Sequence, residues 1–191
     1  LPTSEKVHVE TPLSQALFKL LGELEARLGP TSDVDVYLAG GMATHLYTGH
    51  RSTSDIDAEF STRCLVPKDL VIEFNGEDSQ QKALYIDTTY NPNFALMHPV
   101  RYKDAEPIKA YSGTFKLFAL APVDLALSKI TRLSQIDKED ILNLGLAGLI
   151  SSVDLCKRAD EALADCIGFS SELGQNILDA IEIIRAAERA R

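Results

Sequence analysis

Asp55 and Asp57 flank Ile56, and thirteen residues separate them from a glycine pair, Gly40-Gly41. On a strand, side chains alternate, so both aspartates project from one face while Ile56 points the other way into a core. Two negative charges held together repel, and a bound divalent cation offsets that repulsion. Ligation by oxygen alone suits magnesium or manganese. A glycine pair at a helix start lets backbone N–H groups come close to a phosphate. The two features together suit one ligand, a nucleoside triphosphate with its metal. An Asp-x-Asp alone is common on solvated surfaces; the glycine turn before it sharpens the reading. That turn has neither the lysine of a phosphate loop nor the third glycine of a dinucleotide fingerprint, which counts against P-loop ATPases and Rossmann enzymes.

Other chemistry is scarcer. His8, His45, His50 and His98 form no HxxxH or HExxH pair, and Cys64, Cys156 and Cys166 form no CxxC. A metal site built from histidine or thiolate is therefore not expected. His45 and His50 read as helix-surface or capping residues. Arg51, with Ser52 and Thr53, lies in a polar loop just before the carboxylates. There its guanidinium can offer a bidentate fork to phosphate oxygens or form a salt bridge with a nearby acid.

The elements that must position these groups follow from periodicity. Thr11-Pro12 opens a helix carrying Leu13, Leu17, Leu20, Leu21, Leu24 and Leu28 at helical spacing, and Gly29-Pro30 ends it. Val34 to Ala39 reads as a strand, broken by Gly40-Gly41 before a helix over Met42 to Tyr47. A second strand is expected over Asp55 to Phe60. Val71 to Phe74 and Ala83 to Tyr90 read as a hairpin turning at Asn75-Gly76-Glu77-Asp78, and Thr114 to Leu120 as a last strand. From Pro122 onward the pattern is helical, dividing at Ser134, Ser151-Ser152 and Gly168 to Ser171 into four helices. Leu125, Ile130, Leu142, Leu146, Leu149, Leu163, Ile177 and Ile184 are the expected inward positions. The fold class is α+β: a small mixed β-sheet core with flanking helices (1–121) and a C-terminal helical region packed on it (122–191).

The 191 residues are 45% apolar, enough for one sizeable core with a helical extension. Net charge is −9 and the pI about 4.9, which argues against sequence-blind coating of nucleic acid. Arg101 to Lys116 is the most basic stretch and reads by itself as ordinary solvated surface. No apolar run approaches the roughly 20 residues of a membrane span, and the first ten residues lack the apolar region of a signal peptide. A reducing cytoplasm is the expected location.

The run Ala39-Gly40-Gly41, thirteen residues, then Asp55-Ile56-Asp57-Ala58 resembles the signature of the DNA polymerase β nucleotidyltransferase superfamily. One bacterial branch, related to the AbiEii and MenT toxins of toxin–antitoxin systems, is similar over more of the chain, roughly residues 34 to 150. Arg51-Ser52-Thr53-Ser54-Asp55, Leu84-Tyr85-Ile86-Asp87 with Tyr90-Asn91-Pro92, and Leu120-Ala121-Pro122-Val123-Asp124-Leu125-Ala126 with Ser128-Lys129 carry that likeness.

The resemblance implies that Asp55 and Asp57 hold metal ions, with Asp87 as third carboxylate; Glu59 and Glu73 compete for that role, and Asp87 also reads as a strand-end turn cap. It implies that Gly40, Gly41, Arg51, Ser52, Thr53, Lys129 and Asp140 serve nucleotide binding. Taken alone, Lys129 and Arg132 read as a solvated helix face, and Asp137 as a helix-start charge favourable to the dipole. The implied activity is magnesium- or manganese-dependent transfer of a nucleoside monophosphate from NTP to an acceptor hydroxyl. By the same resemblance the acceptor is a transfer RNA 3′ end and a cognate antitoxin protein is a partner. A cationic small-molecule acceptor such as an antibiotic, or an inert nucleotide- or partner-binding module, are the competing expectations.

Overall fold

Thr11 and Pro12 begin the first helix as their chemistry dictates. Thr11 is extended and its side chain accepts from the Ser14 N–H at 3.2 Å, while Pro12, which has no N–H to satisfy, takes the first helical position. Gly29 closes the helix in the left-handed conformation at φ 56°. The structure is a computed structural model that describes residues 7–166 and 170–191. These residues fall into two units. The described residues up to Tyr90 join Ala105–Leu120 in a sheet unit, and those of Asn91–Asp104 join Ala121–Arg191 in a helical unit.

In chain order the sheet unit runs α1 (Pro12–Leu28), β1 (Val34–Leu38), α2 (Gly40–Thr48), β2 (Asp55–Ile56), β3 (Ala58–Phe60), β4 (Val71–Asn75), β5 (Gln81–Ile86), β6 (Glu106–Pro107) and β7 (Phe115–Ala119). Two mixed sheets result. One has the order β3-β1-β7-β6, with β1 parallel to β7 and antiparallel to β3; the other has the order β2-β5-β4, with β2 parallel to β5 and β4 antiparallel. The apolar stripe of α1 covers β4 and β5, and Leu17, Leu20, Leu21 and Leu24 are fully buried. The mixed sheets and helices are an α+β arrangement.

The expected strand over Asp55 to Phe60 is in fact two. β2 pairs with β5 and β3 with β1, so the chain passes from one sheet to the other at Asp57. The expected strand over Ala83 to Tyr90 starts two residues earlier and stops at Ile86. Asp87 bends the chain there, its Oδ1 accepting from the Thr89 N–H at 2.7 Å and hydroxyl at 2.6 Å. The glycine pair does not separate strand from helix but forms the first turn of α2.

The helical unit holds a 3₁₀ turn (Pro92–Phe94), α3 (Pro122–Ile130), α4 (Gln135–Leu146), α5 (Ser152–Ala164) and α6 (Ser171–Ala190). Ser134, Ser151 and Ser170 cap α4, α5 and α6, each accepting an N–H from three residues on. Of the expected break at Gly168 to Ser171, 168 and 169 lie outside the described residues. The inward face of α4 differs from expectation. Ile141 and Leu144 are fully buried, Leu142 and Leu149 are half-buried, and Leu146 is 43% exposed. Two aspartates set that phase: Asp137 and Asp140, both 1% exposed, share the buried stripe with Ile141 and Leu144. Counting leucines alone therefore places the stripe wrongly.

Candidate active site

Asp57 lies where the chain changes sheets, and its carbonyl accepts from the Ala39 N–H at 2.9 Å. That bond sets the carboxylate beside the start of α2. Gly40 has φ +55°, a conformation that L side chains rarely adopt, and a Cβ there would overlap the Asp57 carboxylate. Gly40 is thus required twice, for its backbone angle and for the space Asp57 fills. Ala39 at the N-cap supplies no side-chain oxygen. The positive end of α2 meets a carboxylate instead, which is electrostatically favourable.

Gly41 makes room for the loop before β2. A Cβ there would stand 3.0 Å from Thr53 Oγ1 and 3.5 Å from Arg51 Nη2. The Thr53 hydroxyl donates to Asp55 Oδ1 at 2.5 Å, and Arg51 Nη1 donates to the Ser52 carbonyl. Asp55 and Asp57 are half-buried while Ile56 between them is fully buried, the alternation a strand requires. Gly40, Gly41, Arg51, Thr53, Asp55 and Asp57 are thereby brought together. A recess of about 480 Å³ is lined by Arg51, Ser52, Thr53, Asp55 and also Lys82, whose Nζ is 3.1 Å from Asp78 Oδ2. A lysine near the start of a strand carries no signal in the sequence, so Lys82 was missed.

His45 is not the surface or capping residue its position implies: it is 5% exposed. Its Nδ1 lies 2.7 Å from the Arg51 carbonyl and its Nε2 2.7 Å from Thr11 Oγ1. A carbonyl only accepts, so Nδ1 carries the proton and donates to it. His45 thus pins the Arg51 loop to the α1 N-cap. Burial lowers its pKa below the ordinary histidine value, with the bond to the Arg51 carbonyl opposing.

Asp87 follows the strand next to the carboxylate pair, its N–H donating to the Ile56 carbonyl at 3.0 Å. Its carboxylate is engaged by Thr89. Among the described residues no group of three or more His, Cys, Asp or Glu stands close enough to hold a metal. Magnesium binds through one or two carboxylates completed by water and phosphate oxygens. The pair Asp55 and Asp57, with Asp57 seated in the space that Gly40 leaves open, fits that donor set. Asp87 joins it only by turning away from Thr89. Glu59 belongs to the other sheet, level with Tyr37, and Glu73 accepts from Gln81 Nε2 at 2.9 Å.

Lys129 and Asp140 lie in the helical unit and pair with each other, Nζ to Oδ2 at 2.7 Å. Lys129 is 7% exposed, so it is not on a solvated face; the Arg132 side chain is, at 76%. Asp137 closes a capping box with Ser134 and takes both Arg132 Nε and Nη2 at 2.8 Å. Burial opposes its ionisation, but the bonds from Arg132 and Ser134 hold its pKa below the usual carboxylate range. A further pair escaped sequence reasoning: Arg158 grips Asp124, which is 0% exposed, through Nε at 2.7 Å and Nη2 at 2.6 Å. The basic stretch Arg101 to Lys116 divides between the units after Asp104 and is not one patch of either.

A glycine-started helix abutting carboxylates on a strand, within small mixed sheets, is the architecture of the nucleotidyltransferase class. The chain belongs to one family of that class: the model for nucleotidyltransferases of unknown function (DUF6036) matches residues 15–182, from within α1 into α6. No curated protein and no solved structure matches the chain. No helix among the described residues is long and apolar enough to cross a membrane.

Proposed function

We propose that the protein transfers a nucleoside monophosphate from an NTP to an acceptor hydroxyl, with a transfer RNA 3′ end as acceptor. It does so as the toxin-like member of a bacterial toxin–antitoxin pair, in the cytoplasm and restrained by a cognate antitoxin protein. The observation that carries the transfer reading is the seating of Asp57 against Gly40, which sets a carboxylate at the start of a helix suited to phosphate. The acceptor and the toxin role rest on the likeness to the AbiEii and MenT branch.

In this reaction the acceptor oxygen attacks the α-phosphorus, the bond to the bridging oxygen of the β-phosphate breaks, and pyrophosphate leaves. Bound magnesium or manganese supplies Lewis acidity and offsets the triphosphate charge. Asp55 and Asp57 hold it. The Gly40 and Gly41 backbone and the Ser52 and Thr53 hydroxyls orient the phosphates, and Arg51 offsets charge on the leaving group. Asp87, released from Thr89, takes the acceptor's proton.

The test is incubation with total RNA, each labelled NTP and magnesium. Wild type is expected to label an RNA, and Asp57→Ala to lower the rate by on the order of 10²- to 10³-fold or more. Label transfer that survives the substitution overturns the site. Transfer to a cationic small molecule instead of RNA replaces the acceptor, and no transfer to any acceptor leaves a nucleotide-binding module.

A further inference from the structure

β5 is the middle strand of its sheet, and its pairing puts Tyr85 level with Asp55 on β2 and with Val71 on β4. Residues level with each other on neighbouring strands share a face. The other face carries Ile56, Leu84 and Ile86, buried at 0%, 0% and 6%. The Tyr85 face is open: Tyr85 is 42% and Val71 44% exposed. Tyr85 is fixed in place by its N–H, which donates to the Ser54 carbonyl at 3.1 Å. Among the described residues its ring stacks on no other ring. Asp55 is thus the carboxylate beside the ring, while β2 and β5 end at Ile56 and Ile86 and Asp57 and Asp87 follow directly.

The charge of that face selects the ligand. Asp55 is level with Tyr85, and Glu73 is level with Ala83 on the same side. A phosphate laid on the ring would meet these acids, whereas an uncharged flat heterocycle would not. Every nucleobase has such a face, and aromatic side chains hold bases by stacking with little regard to sequence.

We propose that Tyr85, flanked by Val71, is a stacking platform for the nucleobase of a substrate presented to Asp55 and Asp57. The proposal rests on the nucleotide-transfer reading. The stacked base belongs either to the NTP or to the terminal nucleotide of the acceptor, and the experiment separates these sources.

The chain contains no tryptophan, so Tyr85→Trp installs a single indole reporter at the platform. It is titrated, with magnesium, with each NTP, with inorganic tripolyphosphate, and with a short single-stranded RNA ending in a 3′ hydroxyl. Saturable quenching by NTP assigns the platform to the donor base, and quenching by RNA alone assigns it to the acceptor. Tripolyphosphate is expected to leave the emission unchanged. In the transfer assay Tyr85→Ala raises the KM of the assigned substrate roughly 5- to 100-fold with little change in kcat, and Tyr85→Phe restores it.

Quenching by neither base-containing probe, equal quenching by tripolyphosphate, or an unchanged KM in Tyr85→Ala overturns the platform. The two ideas fail separately. Wild-type transfer with no effect of Tyr85→Ala removes the platform and leaves the transfer reading intact. Quenching by NTP in a protein whose wild type labels nothing removes the transfer reading and leaves the platform.

Discussion

In the helical unit, Asp124 is fully buried against Arg158, Asp140 against Lys129, and Asp137 is gripped by Arg132. In the sheet unit, Asp55 and Asp87 are half-buried and accept from the hydroxyls of Thr53 and Thr89, and Asp57 rests against the backbone of Gly40. The first set carries its compensating cations within the same chain, so its charges lock helices together. In the second set Asp55 and Asp87 accept from neutral hydroxyls and stay half-exposed, the arrangement expected where compensation arrives with a ligand. Equal numbers of aspartates therefore serve unlike ends, and the partner distinguishes them.

That contrast breaks most easily through stability. Asp124→Ala leaves Arg158 with Asp104 and Glu161 but removes its bidentate, fully buried partner, and is expected to cost about 1.5–3 kcal/mol in urea unfolding, against about 0.3–1 kcal/mol for Asp57→Ala, which loses a favourable charge at the start of α2. Equal losses would erase the distinction. Gly40→Ala forces an L side chain into φ +55° and displaces the Asp57 carboxylate. About 1–2 kcal/mol of stability and roughly 100-fold in transfer rate should be lost. Adding Asp57→Ala should return part of the stability and none of the rate.

Thr53→Val removes the hydroxyl donor of Asp55 and should cost about 1 kcal/mol, measured in the same unfolding assay. The smallest effect belongs to His45. Its folded pKa is depressed by burial, so below the ordinary histidine value the unfolded chain binds a proton that the folded chain refuses. Its contribution is full at neutral pH and is lost as pH falls through the ordinary histidine range toward the folded pKa. Melting temperature should drop over that window, and His45→Gln should flatten the drop.

The sequence was most legible where local chemistry decides. Thr11-Pro12, the leucine spacing and Gly29 delimit α1 without help from the rest of the chain, and three serines mark the helix starts of the helical unit. The pairing of Gly40-Gly41 with Asp55 and Asp57 was legible as chemistry, but its internal geometry was not. Asp55 to Phe60 is apolar and acidic in a way that reads as one strand; only pairing with β5 on one side and β1 on the other splits it at Asp57. α4 defeated the periodicity because its buried stripe includes two charged residues, which pattern reading assigns to solvent. His45 was misplaced for the same reason, a polar side chain buried by partners distant in sequence.

The passage of the chain between sheets at Asp57 also makes the site a place where local opening can be heard. The Ala39 amide is held by the Asp57 carbonyl and the Asp87 amide by the Ile56 carbonyl, so the two peptide units on either side of the Asp57 Cα each accept one hydrogen bond, one in each sheet. A fluctuation that lifts the Asp57 segment off both sheets releases both protons to solvent, and a ligand that bridges the Asp55 and Asp57 carboxylates opposes it. Amide exchange at Ala39 and Asp87 should accordingly rise and fall in step, with protection of the two growing together when nucleotide and magnesium are added.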